Sequence, residues 1–378
     1  MIDESLLDTP DALVRADSHG LLRAVAAGGA HVRTAARSAE ESGLGQLAPE
    51  GRPGTVLVAG GGPESALIAD LLGALAGDGV RVARLHPAGA LAAPGALTWS
   101  LPRWAGPLDL LLIATADGSE PGLGMLLESA YRRGCTAVTV SPAGSPLAEV
   151  TRHRRSMALP FTPAPFQDTT GHPAAPGPVW ALLTPLLLLG GRLGLFAADD
   201  ADVSAMADRL DAVAERCGPT TRTHANAAKA LAAEFAAALP LLWSEGPVAG
   251  AVARHATAVL TALPGRPALT AELPGAMTAH AALLNGALAP GTDTDDFFRD
   301  RVEEPAPLHP RVVLLRSASA QPGEGAAAAA RDLAFEHGVT FSELDAAEDS
   351  GPLQTAAELI SQLDFAAVYL ALASGARP

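Results

Sequence analysis

The sequence predicts an α/β protein made of two doubly wound, mainly parallel sheets, each of about five strands flanked by helices. Three observations lead there. Short β-rich runs such as TVLVAG (55–60), DLLLIAT (109–115) and RVVLLR (311–316) are apolar almost throughout, as strands covered on both faces must be. They alternate with segments of helical periodicity. The alternation stops at a Pro-, Thr- and Gly-rich stretch, FTPAPFQDTTGHPAAPGP (161–178), and then restarts, which divides the chain into two halves.

Taken in order, residues 5–42 read as helical, with Ser18 as a candidate N-cap. GLGQLAPEGRPG is a linker. TVLVAG opens the first sheet and runs through GGPES into a helix. VRVARL (80–85) is the second strand, and residues 86–107 form a loop with a short extended turn. DLLLIAT, a helix near 120–133, TAVTV (136–140), a helix from Ser145 and SMALP (156–160) complete that sheet. Residues 179–238 are helical. The apolar run 179–198, interrupted by Pro185, a Gly pair and Arg192, is expected to be a buried helix ending near Gly190 and no membrane span. LPLLW (239–243), PALTAEL (267–273), a short helix 277–286 stopped by Gly286, RVVLLR, a helix within 324–337, VTFSEL (339–344) and a last helix 352–373 build the second half. The expected divisions are an N-terminal helical segment over residues 1–50, a first domain 51–165, connecting helices 166–238 and a second domain 239–378.

Composition limits the function. The chain has 378 residues, 48% of them hydrophobic and 18% charged, with a net charge of −15. Such a balance argues against nucleic acid and anionic membranes as partners. Lys229 is the single lysine, so lysine chemistry has one candidate. Cys135 and Cys217 form neither a disulfide framework nor a metal-ligand spacing. The acidic N-terminus lacks an apolar signal core, and a cytoplasmic location is expected. His153, His172 and His224 show no metal spacing. The run DTDDFFRD (293–300) reads as a helix cap and solvated face. No P-loop, dinucleotide fingerprint or nucleophile elbow is present, and no cofactor is expected.

Several segments, in order, resemble the SIS (sugar isomerase) superfamily, and within it the bifunctional phosphoglucose/phosphomannose isomerase family. DSHGLLRAVAAGGAHV (17–32) is similar to the family's opening. VAGGGPESALIADLL stands where the family has a Gly-x-Gly-Gly-Ser turn, and IATADGSEPGL where it has Ser-x-Ser-Gly-Asn-Thr. LWSEGPVAGAVARHAT looks like its second-domain strand, turn and Arg-containing helix. GPLQTAAELISQLDFAAVYLALASGARP resembles its Asp-Phe-x-x-x-Tyr-Leu-Ala helix and Gly-x-x-Pro. The resemblance implies two SIS domains, a homodimer sharing its active sites, and aldose–ketose isomerisation of hexose 6-phosphates through a cis-enediol.

Carried over residue by residue, the resemblance assigns sugar-phosphate binding to Gly61, Gly62, Ser65, Thr115, Ser119 and Arg254. The pattern also departs from the family. Glu64 falls on the first serine position, with Ser65 one residue on. Ala114 and Ala116 replace the serines of the second loop, and Asp117 adds negative charge where a phosphate dianion would sit. The alternative is that these are ordinary strand-to-helix turns, with Ser119 as an N-cap. The family's catalytic glutamate has no acid in the corresponding segment 261–267. Glu272 as base and His280 as acid are the nearest replacements, although His280 equally suits a structural role. The linker arginine has no counterpart, Lys229 is expected on a solvated face, and His255 is expected to be exposed. Two functions follow: a phosphosugar isomerase-like protein with eroded catalytic residues, or a non-catalytic SIS protein that senses a sugar phosphate or supports a partner.

Overall fold

The computed structural model describes residues 2–49, 51–89, 95–154, 156–161, 176, 178–286, 308–316, 326–347 and 349–375. The chain divides into two compact units, Ala26–Asp211 and Met1–Val25 with Ala212–Pro378. The N-terminal segment expected as 1–50 is therefore split at residue 25, and the connecting segment 166–238 at residue 211.

Helices α1 (Glu4–Leu7), α2 (Pro10–Ala16) and α3 (Leu21–Ala26) open the chain. The cap of α3 is Asp17 and not Ser18: its carboxylate accepts the N–H groups of Leu21 (2.7 Å) and Leu22 (2.9 Å), satisfying two donors that a helix start leaves free.

The unit 26–211 holds α4 (Gly28–Glu41), β1 (Thr55–Ala59), α5 (Glu64–Ala76), β2 (Arg81–Arg84), β3 (Leu110–Ala114), α6 (Pro121–Arg132), β4 (Thr136–Pro142), α7 (Pro146–His153), β5 (Met157–Phe161), α8 (Pro178–Arg192) and most of α9 (Asp200–Arg216). Its sheet is parallel, in the order β2-β1-β3-β4-β5. Leu110 to Ala114 are all buried, which explains why this strand carries no polar residue. The helix expected from Ser145 is α7, which Ser145 caps by accepting from the Ala148 N–H. As expected, α8 is buried from Val179 to Gly190; it carries Pro185 inside and runs on to Arg192.

The other unit adds α10 (Ala227–Ala236), β6 (Ala238–Glu245), α11 (Pro247–Ala262), β7 (Leu269–Glu272), α12 (Gly275–Ala279), α13 (Ala281–Asn285), β8 (His309–Arg316), α14 (Ala326–Glu336), β9 (Thr340–Asp345) and α15 (Pro352–Ala373). Among the described residues its sheet has four parallel strands, β7-β6-β8-β9. The helix expected at 277–286 is two short helices hinged at His280. Every residue of α15 from Thr355 to Ala373 is buried, so the helix shows no polar face. It is the one helix among the described residues long and apolar enough to cross a membrane, and full burial makes it a core helix. Because α8 and α15 are both buried within the single chain, neither offers spare apolar surface for a second subunit.

Candidate functional site

In an open parallel sheet, ligands bind beyond the strand C-termini where the winding reverses. In the first sheet that point lies between β1 and β3, so the turns after them, 60–63 and 115–120, form the candidate crevice. The turns adjoin: a Cβ on Gly60 would collide with the Ala114 carbonyl oxygen. Gly61 and Gly62 both lie on the first turn, with open space around Gly61.

The hydroxyls of these turns bond within the turns. Ser65 is 1% exposed, and its hydroxyl donates to the Gly62 carbonyl (2.9 Å). A Cβ on Gly62 would collide with the Glu64 carboxylate, which therefore lies over the turn where the resemblance expects phosphate. Thr115 Oγ1 accepts the N–H groups of Asp117 (3.4 Å) and Gly118 (3.2 Å). The Ser119 hydroxyl donates to the Asp117 carboxylate. Ser119 is not the N-cap of α6; that position is Glu120, without a side-chain cap bond. Gly118 has φ +70° and packs on Ser145, which fixes the loop against the start of α7. Thus Gly61, Gly62, Ser65, Thr115 and Ser119 come together, and the hydroxyls of Ser65, Thr115 and Ser119 bond within the turns, that of Ser119 to a carboxylate.

In the second sheet the register pairs Trp243 with Ala271 and Ser244 with Glu272. Successive side chains on a strand point to opposite faces. Trp243 and Ala271 share a core cluster with Ala276 and Leu284, and Trp243 Nε1 donates to His280 Nδ1 at 2.8 Å. His280 therefore belongs to that face. Glu272 belongs to the opposite one, where its carboxylate meets Arg254 of α11 at 3.0 Å. The structure joins Glu272 to Arg254 and separates Glu272 from His280. His280 is 7% exposed, and burial holds its pKa below the ordinary histidine value. With Nδ1 accepting from tryptophan, the ring is neutral and its proton sits on Nε2.

Three features were missed in the sequence. Lys229 is 1% exposed, not solvated: its ammonium donates to the carbonyls of Pro219 (2.8 Å) and Thr221 (2.7 Å) and lies 5.4 Å from the Tyr369 ring centroid. Burial lowers its pKa. His255 is not exposed either; its Nε2 is 2.8 Å from the buried Asp364 carboxylate on α15. An aspartate in the middle of a buried apolar helix requires such a partner, and that was the available signal. Arg316, at the end of β8, bonds Glu245 (3.0 Å) and Glu343 (3.3 Å), across adjoining strands whose register pairs Glu245 with Arg316. Burial raises the thiol of Cys135 to about 11 and also raises that of Cys217, so both are inert core residues. His172 and the run 293–300 lie outside the described residues.

Comparison with known proteins agrees with this architecture. Residues 224–378 match the family model of the bacterial phospho-glucose isomerase C-terminal SIS domain. No curated protein sequence matches. Among solved structures, a proposed phosphosugar isomerase from Silicibacter pomeroyi superposes with a TM-score of 0.58 at 18% identity, covering 92% of this chain and 95% of that one. The C-terminal domain of glucosamine-fructose-6-phosphate aminotransferase from Francisella tularensis gives 0.54 at 11%, with 95% and 97% covered. Tagatose-6-phosphate ketose/aldose isomerase from Escherichia coli gives 0.51 at 13%, with 96% and 93% covered. At these identities the structural likeness establishes the fold, while the sequence model places the second half more closely. Residues 224–378 are thus similar to the bacterial phospho-glucose isomerase C-terminal SIS domain, and the chain as a whole shares the fold of these solved structures.

Proposed function

We propose that this phosphosugar isomerase-like SIS protein does not isomerise hexose 6-phosphates and acts without turnover, as a regulatory or structural partner protein. The observation that carries this reading is the separation of Glu272 and His280 onto opposite faces of the second sheet. Enediol chemistry needs a base and an acid reaching one substrate. Here the carboxylate is held by Arg254, while the imidazole is a neutral acceptor for tryptophan in the core.

The first-domain turns support the same reading. A phosphate cradle presents amide and hydroxyl donors. Here Thr115 already accepts two of those amides, and Ser65 and Ser119 donate inside the turns. Each charge-assisted bond a phosphate would forgo is worth about 1.5–3 kcal/mol, and Glu64 and Asp117 add repulsion.

The test is a coupled assay with glucose, mannose and fructose 6-phosphates, run beside thermal-shift titration of the same compounds. The expected result is no turnover and at most a weak shift. Turnover lost on Glu272→Gln would restore the isomerase reading. A low-micromolar dissociation constant would instead make the protein a sugar-phosphate sensor.

A further inference from the structure

We propose that the surface formed by the loop 101–108 and the C-terminal turn of α6 is a docking site for an acidic protein segment bearing apolar side chains. Trp104 is 58% exposed and Leu108 80% exposed, whereas Trp99, Trp180 and Trp243 are buried. The loop that holds Trp104 out is braced. Arg133, just past α6, donates to the carbonyl oxygens of Leu101 (3.3 Å), Arg103 and Ala105 (2.6 Å). The Gly106 N–H donates to the Asp109 carboxylate at 2.8 Å. A large aromatic fixed in water by a rigid loop is a preorganised anchor, because little freedom remains to be lost on binding.

The charge around it selects the partner. Tyr131, 51% exposed, lies under the Arg154 guanidinium, 5.0 Å from its ring centroid. Arg103, on the braced loop, and Arg132, next to Tyr131 in the chain, are both exposed. Glu128 is shared between Arg154 (2.5 Å) and Arg132 (4.0 Å). Arg103 on the loop, Arg132 and Arg133 at the end of α6 and Arg154 just past α7 outnumber Glu128, which pairs with Arg132 and Arg154, and Asp109, which accepts from Gly106, a positive island on a chain of net charge −15. Two copies of this island repel each other, which disfavours a symmetric self-contact. Bare polyanions gain nothing from Trp104 and Leu108 and meet the repulsion of the whole molecule. An acidic segment with leucine or aromatic side chains satisfies both halves of the surface. The site stands a helix length, roughly 18 Å, from the turn 115–119, so it is independent of the reading of that crevice.

Trp104 supplies the readout, since the buried tryptophans are shielded from acrylamide. The full chain is titrated with an amphipathic peptide of glutamate, leucine and phenylalanine, and with its counterpart carrying lysine for glutamate. The acidic peptide is expected to protect Trp104 from quenching. The charge-reversed variant Arg103→Glu/Arg132→Glu should weaken binding by about tenfold or more, and Trp104→Ala, followed by calorimetry, should do the same with an unchanged melting curve. Equal binding of the lysine peptide, no protection by the acidic one, or undiminished affinity in the variants overturns the proposal. So does equal protection by inorganic polyphosphate, or protection that grows with protein concentration alone, which would assign the surface to a second copy.

Discussion

His280 illustrates how one bond decides a residue's role. Its Nδ1 accepts the only donor of the Trp243 indole, so removing the ring orphans a buried N–H. His280→Ala is expected to lower the unfolding free energy by about 1–3 kcal/mol, measured by urea denaturation, and His280→Gln to recover part of it by offering an acceptor. The pKa of His280 is lowered in the folded chain, so the unfolded state binds the extra proton. This group's contribution is therefore complete above pH ~6.5 and declines as pH falls below it. The same denaturation series across pH 5–8 should show a loss on the acid side that is smaller in His280→Gln. Asp117 decides the other site. Replacing it with asparagine removes the charge to which Ser119 donates, and is expected to tighten fructose 6-phosphate binding, read by calorimetry. Unchanged or weaker binding would show that Asp117 is not the obstacle.

Lys229 and the segment before it show the same logic at the scale of elements. The carbonyls of Cys217, Gly218, Pro219 and Thr221 receive Tyr369 Oη (2.7 Å), Asn226 Nδ2 (3.1 Å) and the Lys229 ammonium, which ties the connection between α9 and α10 to α15. Lys229→Met keeps the side-chain volume and leaves two carbonyls without donors, so a loss of about 2–4 kcal/mol is expected by denaturation. The element order was largely legible in the sequence. Buried strands must be apolar runs, and α15 occupies the expected 352–373. What was not legible has a common physical cause. The pairing of Glu272 with His280 assumed that a strand end and the following helix share a cleft, yet a strand's side-chain direction reverses at every residue. Only the register of β6 with β7 shows which face Glu272 takes. The self-closure of the turn 115–119 likewise depends on Thr115 Oγ1 reaching two amides, a geometry that composition does not encode. His255 looked solvent-facing because its partner Asp364 stands more than a hundred residues away on α15, and Lys229 because backbone carbonyls and the distant Tyr369 ring enclose it.

For the whole molecule, the chain itself covers the apolar faces of α8 and α15, so neither supplies the contact of the homodimer implied by the resemblance. We propose a dimer formed through other surfaces; light scattering at micromolar concentration should give twice the 38.2 kDa chain mass, and a monomer mass would contradict it. Above all, Glu272 and His280 stand on opposite faces of the second sheet, and the proposed absence of turnover rests on their not forming an acid–base pair for enediol chemistry. Proton exchange examines this closely, because it detects enediol formation even where no net isomerisation accumulates. Fructose 6-phosphate is incubated with the protein in D2O, and deuterium entry at C1 is followed by proton NMR. No incorporation above a protein-free blank is expected. Incorporation that disappears on Glu272→Gln would show that the pair assembles after all.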